Sequence, residues 1–442
     1  MWLRVGRSGS WLAYQLAMKR LALLLVAALP LTALACAAPV DSSDEDSGEE
    51  AYTSASARLY DFEFDGEVVA DTSDAKSAVS DQMLFTIGQL NGEGGVARLD
   101  KIALSNVKTA AAGGKTKISY HAKLPVSWPK GKTAPRSYTL LLPRDVTWDG
   151  QDAFFRKHEP KCTDPWAHDN ETGIYWYYYR PRTAGCDVGD DVVQMRAKVR
   201  VSPENSVRKY PEYDKIWQDG ALKAVVIFGK VEDGATTDAD RGIWSYNLFV
   251  STMKKELPNA RTTPADVGDA PGITKPQTTI DADVPGVGKV SITAFLVDNV
   301  REGGPAFEAK YNALSTDADL IVYNGHAGLG QNVRKLATMG KFKSGQYQIF
   351  YMNGCDTFAY VDGSMAQTRA RLNPDDPTGT KYMEILTNSM PPNWDSLPLN
   401  TMTLIRALAD KAHPKTYTDV LASFDQSGLV TVTGEEDNKY RP

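Results

Sequence analysis

Two short stretches of this chain end an apolar run on Asn-Gly and follow it with a residue able to do chemistry. In Asp319–Gly328, DLIVYNGHAG, that residue is His326; in Gln348–Tyr360, QIFYMNGCDTFAY, it is Cys355. A thiol and an imidazole within reach of each other make a nucleophile and a proton carrier. Free cysteine titrates at about 8.5, so little of it is thiolate at neutral pH, and a neighbouring imidazolium would raise that fraction. The ring can then hand a proton to a departing amine. Backbone N–H groups at the two strand ends can hold an oxyanion.

The elements that must position this pair begin near Tyr210. Leu222–Gly229 is a continuous apolar run, the pattern of a strand covered on both faces. A helix follows it, with Ile243, Tyr246, Val250, Met253 and Leu257 on one stripe and Pro258 just beyond. After a Pro-, Thr- and Asp-rich loop over Asn259–Gly288 come the strand KVSITAFLVD and a helix with Pro305 in its first turn. The third strand ends at His326 and the fourth at Cys355, with QNVRKLATM as a short helix between them. Helices TMTLIRALADKA and TYTDVLASF and the strand GLVTVT complete the half, and the acidic tail GEEDNKYRP reads as a solvated end. Strand, crossover and strand in succession predict an α/β domain with a mainly parallel sheet over 208–442. Open parallel sheets place their sites beyond the carboxyl ends of the strands. A strand spacing of about 4.8 Å brings both side chains to one rim if their strands are neighbours.

Each residue also has an ordinary reading. Asn-Gly between apolar runs is a strong hairpin signal, so Cys355 could follow a plain turn and be buried and inert. GHAGLG is glycine-rich like a phosphate loop, but its glycines are in the wrong order and no Lys-Ser/Thr follows.

Residues 57–207 alternate. Ile118, Tyr120, Ala122, Leu124, Val126 and Trp128 share one strand face, and Met195, Ala197, Val199 and Val201 another, opposite Arg196, Lys198 and Arg200. With RLYDFEF, MLFTIGQL, YTLLLP and IYWYYYR as further short strands, this half reads as an all-β, sandwich-like domain. His121 falls on its outward face, and the run Tyr175–Tyr179 reads as core and edge packing or as a recognition face. Cys162 and Cys186 bracket one turn-rich insert. Outside the cytoplasm such a local pair forms a disulfide; the rival is a metal set of His158, Cys162, His168 and Cys186, which matches no familiar zinc spacing. Cys355 is then the odd thiol.

Export is indicated by the first residues. Arg4, Arg7, Lys19 and Arg20 precede the apolar run Leu21–Ala35, too short for an ordinary membrane span. TALAC resembles the lipobox of bacterial lipoproteins, which implies that residues 1–36 are a signal ending at a lipidated Cys36. Ala33 stands where that motif usually has Leu, and Ala37 after the cysteine implies the outer membrane. The other reading is a plain secretory signal cut near Ala35 or Ala38. Residues 37–56 are acidic and serine-rich, a disordered tether. With 49 Lys+Arg against 55 Asp+Glu the net charge is −6, which leaves no basic excess for nucleic acid.

The motifs VYNGHAG and FYMNGC resemble those of the caspase-like cysteine peptidases, which include caspases, legumains and gingipains. The likeness spans about half of the chain, and the 29-residue step from His326 to Cys355 is nearer the gingipain-like members. It implies a caspase-like α/β domain with Cys355 as nucleophile and His326 as general acid/base. It places the oxyanion donors on the N–H groups of Cys355 and Ala327. Ala327 stands where the family usually has Gly, and Gly354 where it often has Ala, departures that would also suit a degenerate, non-catalytic lipoprotein with a binding β-domain. A charged P1 pocket is usual in the family; Asp356, Asp362 and Asp298 are acids that could serve a basic side chain. The implied partner is a polypeptide substrate, with membrane contact only through the N-terminal lipid, a monomeric chain and no cofactor. Ca2+ has no supporting motif.

Overall fold

The central strands of the C-terminal half are apolar at nearly every position because protein covers both of their faces. The computed structural model describes residues 51–168 and 170–442. Their strands, in chain order, are β1 (Tyr52–Ser54), β2 (Ala57–Ala70), β3 (Val96–Ala97), β4 (Ala103–Ala112), β5 (Lys115–Pro129), β6 (Ser137–Pro143), β7 (Val192–Val201) and β8 (Asn205–Ser206). The second half adds β9 (Ala221–Gly229), β10 (Arg261–Thr263), β11 (Gln277–Val284), β12 (Gly288–Val297), β13 (Leu320–Asn324), β14 (Gln348–Asn353), β15 (Met383–Asn388) and β16 (Val430–Thr433).

They form a mixed α/β structure with two sheets. One has ten strands in the order β10-β11-β12-β9-β13-β14-β15-β16-β1-β8. Its centre, β12-β9-β13-β14-β15, is parallel throughout. Antiparallel strands flank it on both sides. The chain runs from β9 to β12 on one side and returns to β13 on the other, so the strand order reverses at β9/β13. Such a reversal opens a crevice at the carboxyl ends of the strands.

Period-two alternation sorts the central side chains. Val225, Ile227, Ile321, Tyr323, Phe350 and Met352 join one core with Phe307, Tyr311 and Leu336. Leu222, Val226, Phe228, Leu320, Val322, Ile349 and Tyr351 join the other with Ile243, Phe249 and Leu404. The first core continues without a break into Phe62, Leu124, Trp128 and Leu140 of the antiparallel sheet. The face read from β5 is as expected, with Ile118, Tyr120, Ala122, Leu124, Val126 and Trp128 buried. On β7 Met195 and Ala197 are buried opposite exposed Arg196, Lys198 and Arg200, but Val199 is only partly buried and Val201, at the strand end, is exposed. His121 stays on the outward face, half-buried beside Asp65 at 2.8 Å.

Several expectations need correction. MLFTIGQL is not a strand but the middle of a helix, Ala75–Asn91, whose first turn Asp74 caps by accepting from the Lys76 N–H at 3.0 Å. That helix is buried on most sides, so its apolar run shows no helical period. It packs on β2, β3 and β6, so the antiparallel sheet is covered by a helix rather than by a second sheet, and no sandwich forms. IYWYYYR is a helical turn, Tyr175–Tyr178. The loop Asn259–Gly288 contains β10 and β11. The tail is not solvated throughout: Glu435 and Asn438 are buried, and Asn438 donates to Glu384 Oε1 at 2.6 Å. β1 and β8, from the N-terminal half, sit in the ten-stranded sheet, and all described residues belong to one compact unit.

Cys162 and Cys186 are joined in a disulfide. It closes a loop with a sequence separation of 24, so replacing both cysteines by serine is expected to lower unfolding stability by about 3 kcal/mol. Urea denaturation of the double variant measures this.

Candidate active site

The strand register sets the site. Asn324 of β13 and Asn353 of β14 stand opposite each other, and Asn324 is also paired with Phe228 of β9. His326 and Cys355 are each two residues beyond that register pair. The two asparagines are cross-linked: Asn353 Nδ2 donates to Asn324 Oδ1 at 2.9 Å, and Thr401 Oγ1 donates to the same oxygen at 2.9 Å. Gly325 N–H donates to the Asn353 carbonyl at 3.1 Å. The Asn-Gly pairs therefore stitch two strand ends together, and the hairpin reading of Asn353-Gly354 falls away.

The glycines are needed for the close approach. Gly325 has φ +157°, in the region that favours glycine. A Cβ on Gly354 would lie 2.4 Å from the Gly325 carbonyl oxygen and 3.3 Å from the Ala327 nitrogen. The residues on either side of His326 are thus packed against the residue before Cys355. This contact brings the expected pair to one rim.

His326 is fixed from three sides. Tyr323 Oη and Asn332 Nδ2 each donate to its carbonyl at 2.8 Å. Its ring meets Trp394 edge-on, with centroids 5.0 Å apart. Nε2 lies 3.2 Å from the Val231 carbonyl, just past β9. A carbonyl only accepts, so Nε2 carries the proton and Nδ1 is the free acceptor. The residue reaches solvent, yet the protein packed round the ring lowers its pKa, as does the nearby His168; the Val231 carbonyl, Glu232 and Asp240 pull the other way.

Cys355 is half-buried, and its thiol is pushed up to about 12. Burial is the main cause and the Asp356 carboxylate the second, while the cysteine's own N–H opposes them. Among the described residues no hydrogen bond joins Sγ to the His326 ring. The resting pair is therefore a neutral thiol beside a neutral imidazole, not the thiolate–imidazolium pair that sequence reasoning favoured. Desolvation is the first cause of both shifts and disfavours charge on both groups.

The expected oxyanion donors lie at the same contact. Ala327 is not in the left-handed region, so its N–H is available to a ligand without strain. Among the described residues neither the Ala327 nor the Cys355 N–H donates to a carbonyl. Buried N–H groups are seldom left so.

No family model matches the chain, and neither does any curated protein or solved structure.

The remaining candidates have other partners, and only Asp356, which follows Cys355, adjoins the pair. With both sulfurs in the disulfide, the metal set is not available; His158 Nε2 instead pairs with Asp191 at 2.7 Å. Asp298 pairs with Lys230 at 2.7 Å, Asp362 accepts from the Ser364 N–H at 2.9 Å, and Asp356 is buried. Cys36, the signal and most of the tether lie outside the described residues. No helix among the described residues is long and apolar enough to cross a membrane. Sequence reasoning missed Trp394 and the Val231 carbonyl. Trp394 follows β15, which was not assigned; once β15 is placed beside β14, the loop after it must reach the same rim.

Gly354→Ala is expected to lower stability by about 1–3 kcal/mol, because the Gly325 carbonyl must move; urea unfolding measures it. Iodoacetamide labelling of Cys355 is expected to keep rising between pH 8 and 11 without a plateau. The thiol stays protonated through that range, and mass spectrometry of the Cys355 peptide follows it.

Proposed function

We propose that the chain is an envelope-anchored cysteine endopeptidase of the caspase-like kind. The observation that carries this reading is the packing of Gly354 against Gly325 and Ala327, which sets a thiol and an imidazole at adjacent ends of parallel strands. Because both groups rest neutral, the proton moves as the bond forms. His326 Nδ1 takes the Cys355 proton while the sulfur attacks the peptide carbonyl carbon. The N–H groups of Cys355 and Ala327 receive the oxyanion. The ring then protonates the departing amine and leaves a thioester, and water activated by the same ring hydrolyses it. The Val231 carbonyl keeps the tautomer right for each transfer, as the third member of a nucleophile–base–orienter series.

A polypeptide is the substrate class, and no step calls for a cofactor. The anchor is a lipid on Cys36, with the chain at the outer membrane as a monomer.

One observation favours a second reading, a non-catalytic lipoprotein with a degenerate site. Cys355 is held far from its thiolate, and no hydrogen bond reaches it from the ring. Cleavage of a panel of unfolded polypeptides decides between the two. Cys355→Ser and His326→Ala are each expected to reduce cleavage by at least about 100-fold. A folded wild-type chain that cleaves nothing in the panel would favour the second reading. Incorporation of labelled palmitate that persists in Cys36→Ser would overturn the anchor.

A further inference from the structure

The disulfide-closed insert comes from the antiparallel half, yet it reaches the candidate site. Its helical turn Tyr175–Tyr178 is rooted in the first core: Tyr175 and Tyr179 stack edge-on against Phe85 at 6.3 and 5.6 Å. The root is tight, since a Cβ on Gly88 would lie 2.4 Å from the Trp176 carbonyl oxygen. Arg180 ties the turn to the helix Ala75–Asn91 by donating to the Gly88 carbonyl at 2.6 Å, and it pairs with Asp164 at 2.6 Å. From this root Trp176 meets Tyr360 edge-on at 6.3 Å, and Tyr177 Oη donates to Asp356 Oδ2 at 3.0 Å.

Asp356 follows the nucleophile directly and is unusual in three ways. It is 0 % exposed. It holds φ +51°, a left-handed backbone that residues other than glycine seldom adopt, with aspartate and asparagine the most tolerant of them. Its Oδ1 has no hydrogen-bond partner among the described residues. A buried carboxylate survives only with help from its neighbours. Tyr177 is the largest such help, and Asn91 and Arg180 add to it.

We propose that the Cys162–Cys186 insert is a working part of the site, with Tyr177 a positioning residue that acts on Cys355 through Asp356. This rests on the reading of Cys355 as a nucleophile. By stabilising the Asp356 carboxylate, Tyr177 keeps a negative charge next to the sulfur and so keeps the sulfur protonated. The insert thereby acts as a brake that the arrival of substrate, or movement of the insert, would release. The groups facing Asp356 are Tyr177 and Arg180 from the insert, Asn91 from the helix Ala75–Asn91, and Cys355 and Tyr360 from its own segment. Tyr323 of β13 and the same tyrosines, Tyr177 and Tyr360, feel the sulfur's charge.

The sign can be read in labelling rates. Burial raises the Asp356 carboxyl to about 7. Below that pH it is neutral and above it charged, so the rise of Cys355 labelling with pH flattens through neutrality and then resumes. In the full-length chain, with iodoacetamide and mass spectrometry on the Cys355 peptide, the wild type is expected to show this bend. Asp356→Asn keeps a residue that tolerates the left-handed turn and removes the charge. It is expected to show a straight line and to label about tenfold faster at pH 8. Tyr177→Phe is expected to move the bend to higher pH. Cys162→Ser/Cys186→Ser, which frees the insert while leaving Tyr177 intact, is expected to move it the same way and decides the matter if Tyr177→Phe does not fold. A wild type without a bend, an Asp356→Asn profile that overlays it, or a bend that neither insert variant moves would overturn the proposal. Loss of peptide cleavage with the bend intact would overturn the peptidase alone.

Discussion

The carbonyl oxygen of Gly325 occupies the space that any side chain at position 354 would need. That one contact fixes the site. Parallel pairing of β13 and β14 brings their ends to the same level, but strand spacing alone leaves the loops free to diverge. Contact between the loop backbones removes that freedom. The cross-linked amides of Asn324 and Asn353 hold the strand ends beneath it, with Thr401 donating to Asn324 Oδ1 and Asn353 Nδ2 donating to the Leu397 carbonyl. Protein interiors are packed tightly enough that a single methyl group is felt, so the glycine at 354 is a requirement of geometry rather than a drift from alanine.

The electrostatics of the rim follow from the same closeness. Packing at the rim crowds protein round the His326 ring, although the residue still reaches solvent, and round the half-buried Cys355, and each then favours its neutral form. An attraction between opposite charges would have to exceed two desolvation costs to hold an ion pair at rest. Burial is the first cause of both shifts. A neutral pair is still suited to acyl transfer, since the proton need only move as charge develops on the carbonyl oxygen. The cost is a low resting reactivity, since the thiolate and not the thiol is the nucleophile.

Much of this arrangement could be read from residue order. β9, β13 and β14 are runs of branched and aromatic residues too short for helices, and buried parallel strands look like that. The helix Arg241–Glu256 announces itself by its stripe and by Asp240, which caps it through the Gly242 N–H at 2.8 Å. The Cys162–Cys186 bond followed from compartment and spacing. The failures share a physical cause. Met83–Leu90 and Tyr175–Tyr178 are buried on too many sides to show a period, so aromatic and branched content pointed to strands while tertiary packing imposed helices. β15 carries Glu384 in its interior, a charge that speaks against a central strand. Only the fold reveals that Tyr347, Tyr417 and Asn438 surround that carboxylate with donors. The acidic tail, which reads as solvated, folds back so that Asn438 joins those donors while Glu435 is buried.

The two halves, distinct in texture along the chain, cannot be treated as a catalytic body with a detachable accessory. One apolar core runs from Phe62 and Trp128 through Phe358 to Met352, the residue three before Cys355. β1 and β8 extend the ten-stranded sheet, and Tyr52 Oη shares a hydrogen bond with Ser127 of β5 at 2.8 Å. Removing the antiparallel half would bare that core along one face of the parallel strands, at roughly 25 cal/mol for each Å² of apolar surface returned to water. It would also take Tyr177 from Asp356. A loop grafted on one half thus reaches the rim built on the other, with the disulfide at its base and its helical turn packed on the helix Ala75–Asn91.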